Sequence, residues 1–192
     1  MKYNLLVLNG GLSGSQGNSA HILSQAVEYF DNRFDVQWCN LAEKKDHERQ
    51  ISLCQKADAF LIATGTYWGS CSSVLQDFFE RMTPTEGTDV WLGKPVGIIV
   101  TMHAAGAESV LSRLQLTLNM FGSLLPPMSA MTYSALTHEA IKNQSLQTET
   151  WQLSDLEIVC HNLTQAVTRE YHWRVWPTDK EGYQDLWLRE DD

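Results

Sequence analysis

Positive charge is scarce in this chain: 14 lysines and arginines stand against 23 aspartates and glutamates, a net charge of -9. A nucleic-acid backbone or an anionic membrane surface needs a basic face, so neither is expected as the main partner. The shortage leaves room for one small phosphate, which a few backbone N–H groups can hold. No apolar run approaches membrane-spanning length, and the N-terminus lacks the pattern of a cleaved leader, so a cytoplasmic protein is expected. The four cysteines, Cys39, Cys54, Cys71 and Cys160, form no CxxC or Cys/His spacing. That speaks against zinc and iron–sulfur motifs, and a reducing compartment leaves free thiols as the expectation. No metal is expected. Repeats, low-complexity tracts and internal linkers are also absent. Residues 1–172 therefore read as one domain, and residues 173–192, rich in tryptophan, as an extension packing on it or on a subunit interface.

What the chain does have is a stretch at residues 4–24 around which the rest is organised. Leu5, Leu6, Val7 and Leu8 form a short apolar run, the signature of a strand buried on both faces. It stops at Asn9-Gly10-Gly11, and small or polar residues follow as far as Asn18. From Ser19 the apolar spacing becomes helical, with Ile22, Leu23, Ala26, Val27 and Phe30 on one side. Strand, glycine-and-serine loop, helix is an arrangement that aims N–H groups and a helix N-terminus at an anion.

The same unit recurs. Residues 34–39 alternate like an edge strand, and residues 46–56 suit a short helix. Residues 59–64 form a second buried strand, ending in the loop 65–73, with a helix over 74–82. After a connecting loop at 85–93, residues 96–101 form a third buried strand. It ends in small residues at 103–107, and a helix follows that carries Val110, Leu111, Leu114, Leu118 and Phe121 inward, with Gly122 to end it. The last strand is pushed by two prolines toward residues 128–133, residues 137–150 read as loop, and a final helix spans about 153–171. Alternation of this kind predicts an α/β domain, a doubly wound parallel sheet of five strands with helices on both faces.

Ligands of such sheets bind beyond the carboxyl ends of the strands, where strand order reverses. In the order 2-1-3-4-5, strands 1, 3 and 4 are neighbours, and those three carry the small-residue loops. A flat molecule with an anionic tail fits that edge, tail in the first loop and plane between the second and third.

The run Gly17-Asn18-Ser19, then Thr64-Gly65-Thr66-Tyr67-Trp68-Gly69-Ser70, then Gly93-Lys94-Pro95 before a strand, resembles the NADPH-dependent FMN reductase family over about residues 3–133. The resemblance implies a flavodoxin-like fold with FMN as cofactor, NAD(P)H as electron donor and a quinone, flavin or similar small molecule as acceptor. It places the FMN phosphate against Ser13, Ser15, Gly17, Asn18 and Ser19. The ribityl chain and one ring edge fall to Thr66, Tyr67, Trp68, Gly69 and Ser70. The ring's pyrimidine side falls to Thr101, Met102, His103 and Gly106. It also implies a homodimer or homotetramer. Two departures stand out: the family's phosphate loop often carries an arginine, absent here between Lys2 and Arg33, and the proline that usually opens the second loop is Gly65.

Bland readings stand beside these. Asn18 or Ser19 could simply cap a helix, and Tyr67 and Trp68 could be loop aromatics buried for area. His103 is either satisfied by local backbone or is the catalytic group that stabilises negative charge on a reduced ring. Cys71, near a helix start, could be a lowered-pKa thiol, but no histidine partners it in sequence and packing is preferred. Rival functions are an electron carrier without NAD(P)H turnover, a family member that has lost FMN, and a phosphate-ester hydrolase. The last would want acidic metal ligands, and residues 13–19 and 65–73 contain none.

Overall fold

Five apolar runs become the five strands of one parallel sheet in the computed structural model, which describes residues 2–43, 46–142 and 152–175. The strands are β1 (Tyr3–Asn9), β2 (Phe34–Asn40), β3 (Ala59–Gly65), β4 (Val96–Thr101) and β5 (Ala130–Tyr133), in the order β2-β1-β3-β4-β5. Near-continuous burial marks the central three, whereas β2 alternates in and out as an edge strand should. Every pairing is parallel, with Leu5 opposite both Val36 and Ala59, and Ile62 opposite Ile98.

Helices cover both faces. On one side α1 (Asn18–Val27) and α6 (Leu156–Val167) pack Ile22, Leu23, Val159 and Leu163 against Leu5, Val7 and Leu61. On the other, α2 (His47–Lys56), α3 (Ser73–Met82) and α4 (Ala107–Phe121) press Cys54, Phe78, Leu114 and Leu118 onto Leu6, Leu8, Phe60 and Ile98. This is the flavodoxin-like doubly wound fold. Among the described residues no helix is long and apolar enough to cross a membrane.

Several expected boundaries shift. A further helix, α5 (Ala135–Lys142), occupies the start of the stretch read as loop, and residues 143–150 lie outside the described residues. Its start is fixed by Ser134, whose hydroxyl accepts the Thr137 N–H, a capping interaction that overrides the polar composition. Strand β5 begins only at Ala130, because Met128 takes a left-handed turn at φ 53° after the two prolines. The last helix is a 3-10 turn at Leu153–Asp155 followed by α6, which ends at Val167 rather than near residue 171. Helix α1 stops at Val27, leaving Phe30 in the turn beyond, edge-on to Phe34. All four cysteines are free, and three of them are buried.

The connection between α3 and β4 carries the largest fully buried side chain, Trp91, packed among Phe60, Phe78 and Phe121 with its indole N–H donating to Thr85 Oγ1. Next to it Lys94 spans the end of α2, donating to the carbonyls of Cys54 and Gln55. The segment after α6 crosses this amino-terminal edge of the sheet, with Trp173 over Gly93 and Val175 beside Gly87. Of the extension expected at 173–192, residues 176–192 lie outside the described residues.

Candidate functional site

At the carboxyl-terminal edge the loops are tied to one another in chain order. Buried Asn9, last residue of β1, folds the first loop over itself. Its side-chain amide donates to Gly14 O and Asn40 Oδ1, and its own Oδ1 accepts the Gly11 N–H. A 3-10 turn at Gly14–Gln16 follows, entered through Gly14 at φ 54°. The first loop joins the second through the Ser72 hydroxyl, which donates to Gly10 O, and through Gly10 N–H to Ala63 O. The second joins the third through Thr66 N–H to Thr101 O, at 2.8 Å. The third joins the loop after β5 through Met102 N–H to Tyr133 O and the Ser134 hydroxyl to His103 O.

Residues 67–70 make a two-residue hairpin. Tyr67 and Ser70 exchange both backbone hydrogen bonds, at 2.8 and 3.0 Å, and the two residues between them have positive φ, 51° at Trp68 and 77° at Gly69. That geometry is the type I′ turn, which suits glycine at both places. Holding tryptophan there costs on the order of 1–2 kcal/mol. The hairpin separates the two aromatics. Tyr67, 37% exposed, lies over Gly65, so close that a Cβ on Gly65 would come within 3.0 Å of the ring, while Trp68 stands fully exposed.

Between these loops lies a cavity of about 430 Å³. Of the residues singled out in the sequence, Ser13, Gly17, Asn18, Ser19, Thr66, Tyr67, Thr101, Met102 and His103 line it together. Ser15 sits on the outer side of the 3-10 turn, and Trp68, Gly69 and Ser70 form the hairpin tip; none of these lines the cavity. Gly106 supports it from behind as the left-handed N-cap of α4, at φ 93°, 3.6 Å from the Thr66 methyl if it carried a Cβ. The sequence reading missed Leu12, His21, Tyr133, Leu136 and Leu153, which also line it. Leu136 belongs to α5, and His21 was hidden as one more polar residue on an amphipathic helix.

Two features leave polar valences open here. Helix α1 begins at Gly17, which offers no side-chain oxygen, whereas α2 and α3 are capped by Asp46 and Ser72. The first-turn N–H groups of α1, on Asn18, Ser19 and Ala20, have no carbonyl to bond within the helix. The Thr66 hydroxyl oxygen is buried without a partner among the described residues, an arrangement worth about 1–3 kcal/mol in lost hydrogen bonding. Both fit a ligand with a phosphate at one end and hydrogen-bonding groups along its length.

Charge is nearly absent from the walls. None of the described lining residues is Asp, Glu, Lys or Arg, and the titratable groups are His21, Tyr67, His103 and Tyr133. Burial, with a smaller push from Glu139, raises the Tyr133 hydroxyl above its usual range and keeps it a neutral phenol. Burial also raises the Cys71 thiol, outweighing the lowering by Ser70, its own backbone and Arg113. Cys71 thus has the environment of a packed thiol, its Sγ directed at Gln76 Oε1. Gly93-Lys94-Pro95, part of the sequence pattern, lies at the opposite edge, where Lys94 serves the end of α2.

Comparison with known proteins adds to this geometry. A family model described as NADPH-dependent FMN reductase matches residues 3–135. No curated protein matches the chain. Among solved structures, RosB holding the intermediate 8-demethyl-8-formylriboflavin-5'-phosphate aligns with a TM-score of 0.69 at 17% identity, covering 86% of this chain and 79% of that one. An oxidoreductase from Corynebacterium diphtheriae aligns at 0.67 and 15%, covering 88% and 99%. FerB, a flavoenzyme NAD(P)H:(acceptor) oxidoreductase from Paracoccus denitrificans, aligns at 0.60 and 17%, covering 85% and 98%. At such identities the likeness establishes the shared fold.

Proposed function

The chain belongs to the NADPH-dependent FMN reductase family, and from that premise we propose an FMN-dependent NAD(P)H oxidoreductase acting on a small acceptor such as a quinone or a free flavin. Bound FMN would supply the redox chemistry, hydride acceptance from a nicotinamide and electron transfer to the acceptor. The chain's own residues hold, orient and shield. Ser13 and the first turn of α1, from Gly17 to Ser19, hold the phosphate with neutral donors and the helix dipole. Thr66 and Tyr67 bound the flat ring on one side, and Thr101, Met102 and His103 on the other. His103 and the N–H groups of its loop stabilise negative charge on the pyrimidine side of the ring. No side chain need act as acid or base, which suits a wall with so few ionisable groups. Ser15, Trp68, Gly69, Ser70 and Gly106 are assigned to shaping the three loops. A cytoplasmic homodimer or homotetramer, with the mouth of the cavity at the subunit contact, completes the reading.

The observation that carries it is the uncapped start of α1, aimed at a cavity that four separate strand ends share. The visible spectrum of the purified protein tests it, before and after addition of FMN and then NADPH. Flavin bands that shift on binding and bleach with NADPH are expected. Bound FMN that NADPH leaves oxidised would favour the electron carrier, and no binding would favour a member that has lost its cofactor.

A further inference from the structure

The cavity must hold an anion's charge with walls that contain no lysine or arginine among the described residues. One group on the phosphate side can still act as a strong donor. His21 lies on the second turn of α1, four residues after the cap glycine Gly17, and lines the cavity beside Gly17, Asn18 and Ser19. Helix geometry directs this side chain. The Cα–Cβ bonds of a helix lean toward its N-terminus, so His21 leans over the first turn, and Gly17, one turn back on the same face, has no side chain to block it. Its ring is held from the other side by Gln25, whose Nε2 lies 3.0 Å from His21 Nε2. With the Gln25 amide donating, Nε2 accepts, and a neutral imidazole then carries its proton on Nδ1. His103, the other imidazole of the cavity, stands on the loop after β4.

We infer that His21 is a direct ligand of the flavin phosphate, so that preference for FMN over riboflavin depends on this residue; the inference rests on the flavin reading above. The imidazole adds a side-chain donor next to the open N–H groups of Asn18, Ser19 and Ala20, beside the hydroxyls of Ser13 and Ser19. Gln25 positions it.

Dissociation constants for FMN and for riboflavin, measured by flavin fluorescence, separate the phosphate from the ring. They are compared in the wild type, His21→Leu and His21→Arg. His21 is exposed, so neither change disturbs the core. His21→Leu is expected to weaken FMN about tenfold, the scale of one charge-assisted hydrogen bond, and to leave riboflavin unchanged. His21→Arg should hold FMN at least as tightly as the wild type, again with riboflavin unchanged. Equal weakening of both flavins by His21→Leu, or an FMN affinity that it leaves unchanged, overturns the inference. A wild-type protein that binds both flavins equally well also overturns it while the flavin reading stands. If neither flavin binds, both readings fall.

Discussion

The two edges of this sheet carry cavities of nearly equal size, about 430 Å³ at the carboxyl end and about 400 Å³ at the amino end. Each also has one buried hydroxyl without a partner among the described residues, Thr66 at the first and Ser123 at the second. Volume and an orphaned hydroxyl therefore do not tell them apart. Main-chain polarity does. At the amino end α4 finishes in left-handed Gly122, and the chain itself answers its last carbonyls: Gly87 N–H donates to Phe121 O and Gly93 N–H to Gly122 O, both at 2.9 Å. Leu92, Met120, Leu124, Leu125, Trp173 and Val175 supply its apolar wall, and Glu86, Thr88, Asn119 and Arg174 its polar one. At the carboxyl end α1 starts on a glycine with nothing of its own to cap it. Parallel strands point every following helix N-terminus to one edge, so only that edge can concentrate donors for an anion.

An added charge should break this asymmetry most sharply. Ser19, 3% exposed, sits in the first turn of α1 and lines the upper cavity. An aspartate there suits the helix dipole but faces a bound phosphate. Ser19→Asp is therefore expected to weaken FMN about 100-fold, near 2.7 kcal/mol. The matched change at the other edge, Asn119→Asp, should leave FMN affinity within about twofold. Titration of both variants checks this, and equal losses would mean the phosphate lies elsewhere.

The two edges were also unequally legible. Buried parallel strands announce themselves as apolar runs, so Leu5 to Leu8 and Ile98 to Val100 could be placed from composition alone. The loops after them were legible for a related reason: backbone that must approach a ligand tolerates little beyond glycine, serine and threonine. Which way each loop residue faces was not legible. Tyr67 and Trp68 are adjacent, yet Tyr67 lies over Gly65 at the cavity wall while Trp68, at positive φ on the hairpin tip, stands out in solvent. A Trp-Gly turn lacks the Asn-Gly signature that would have betrayed it. Trp91 escaped because a connection without periodicity reads as surface, whereas its indole fills the gap between Phe60 and Phe121.

The amino edge can be broken by itself. Gly93 has φ 74°, and a Cβ on it would lie 2.6 Å from Trp173 Cδ1. Gly93→Ala should cost about 1–2 kcal/mol in backbone strain and displace Trp173, lowering the melting temperature by several degrees. Hydrogen exchange at residues 171–175 should rise while FMN affinity stays put. A loss of FMN binding as large as the loss of stability would show that the two edges are coupled through the sheet.

The smallest effect is the most discriminating, because its two parts have opposite signs. Valine matches threonine in shape but removes a hydroxyl that has no partner among the described residues. Thr66→Val should leave the cofactor-free protein as stable as the wild type or up to about 1 kcal/mol more so, since no hydrogen bond is lost and a buried polar atom is removed. The same variant should bind FMN about three- to tenfold more weakly, because the ligand then loses a donor or acceptor the fold had kept in reserve. Ser123→Ala makes the parallel test below: it removes the other orphaned hydroxyl and should leave FMN binding untouched. Calorimetric melting without FMN and titration with it give the two signs separately. If Thr66→Val lowers stability, its oxygen already has a use within the protein, and the case for a ligand there rests on α1 alone.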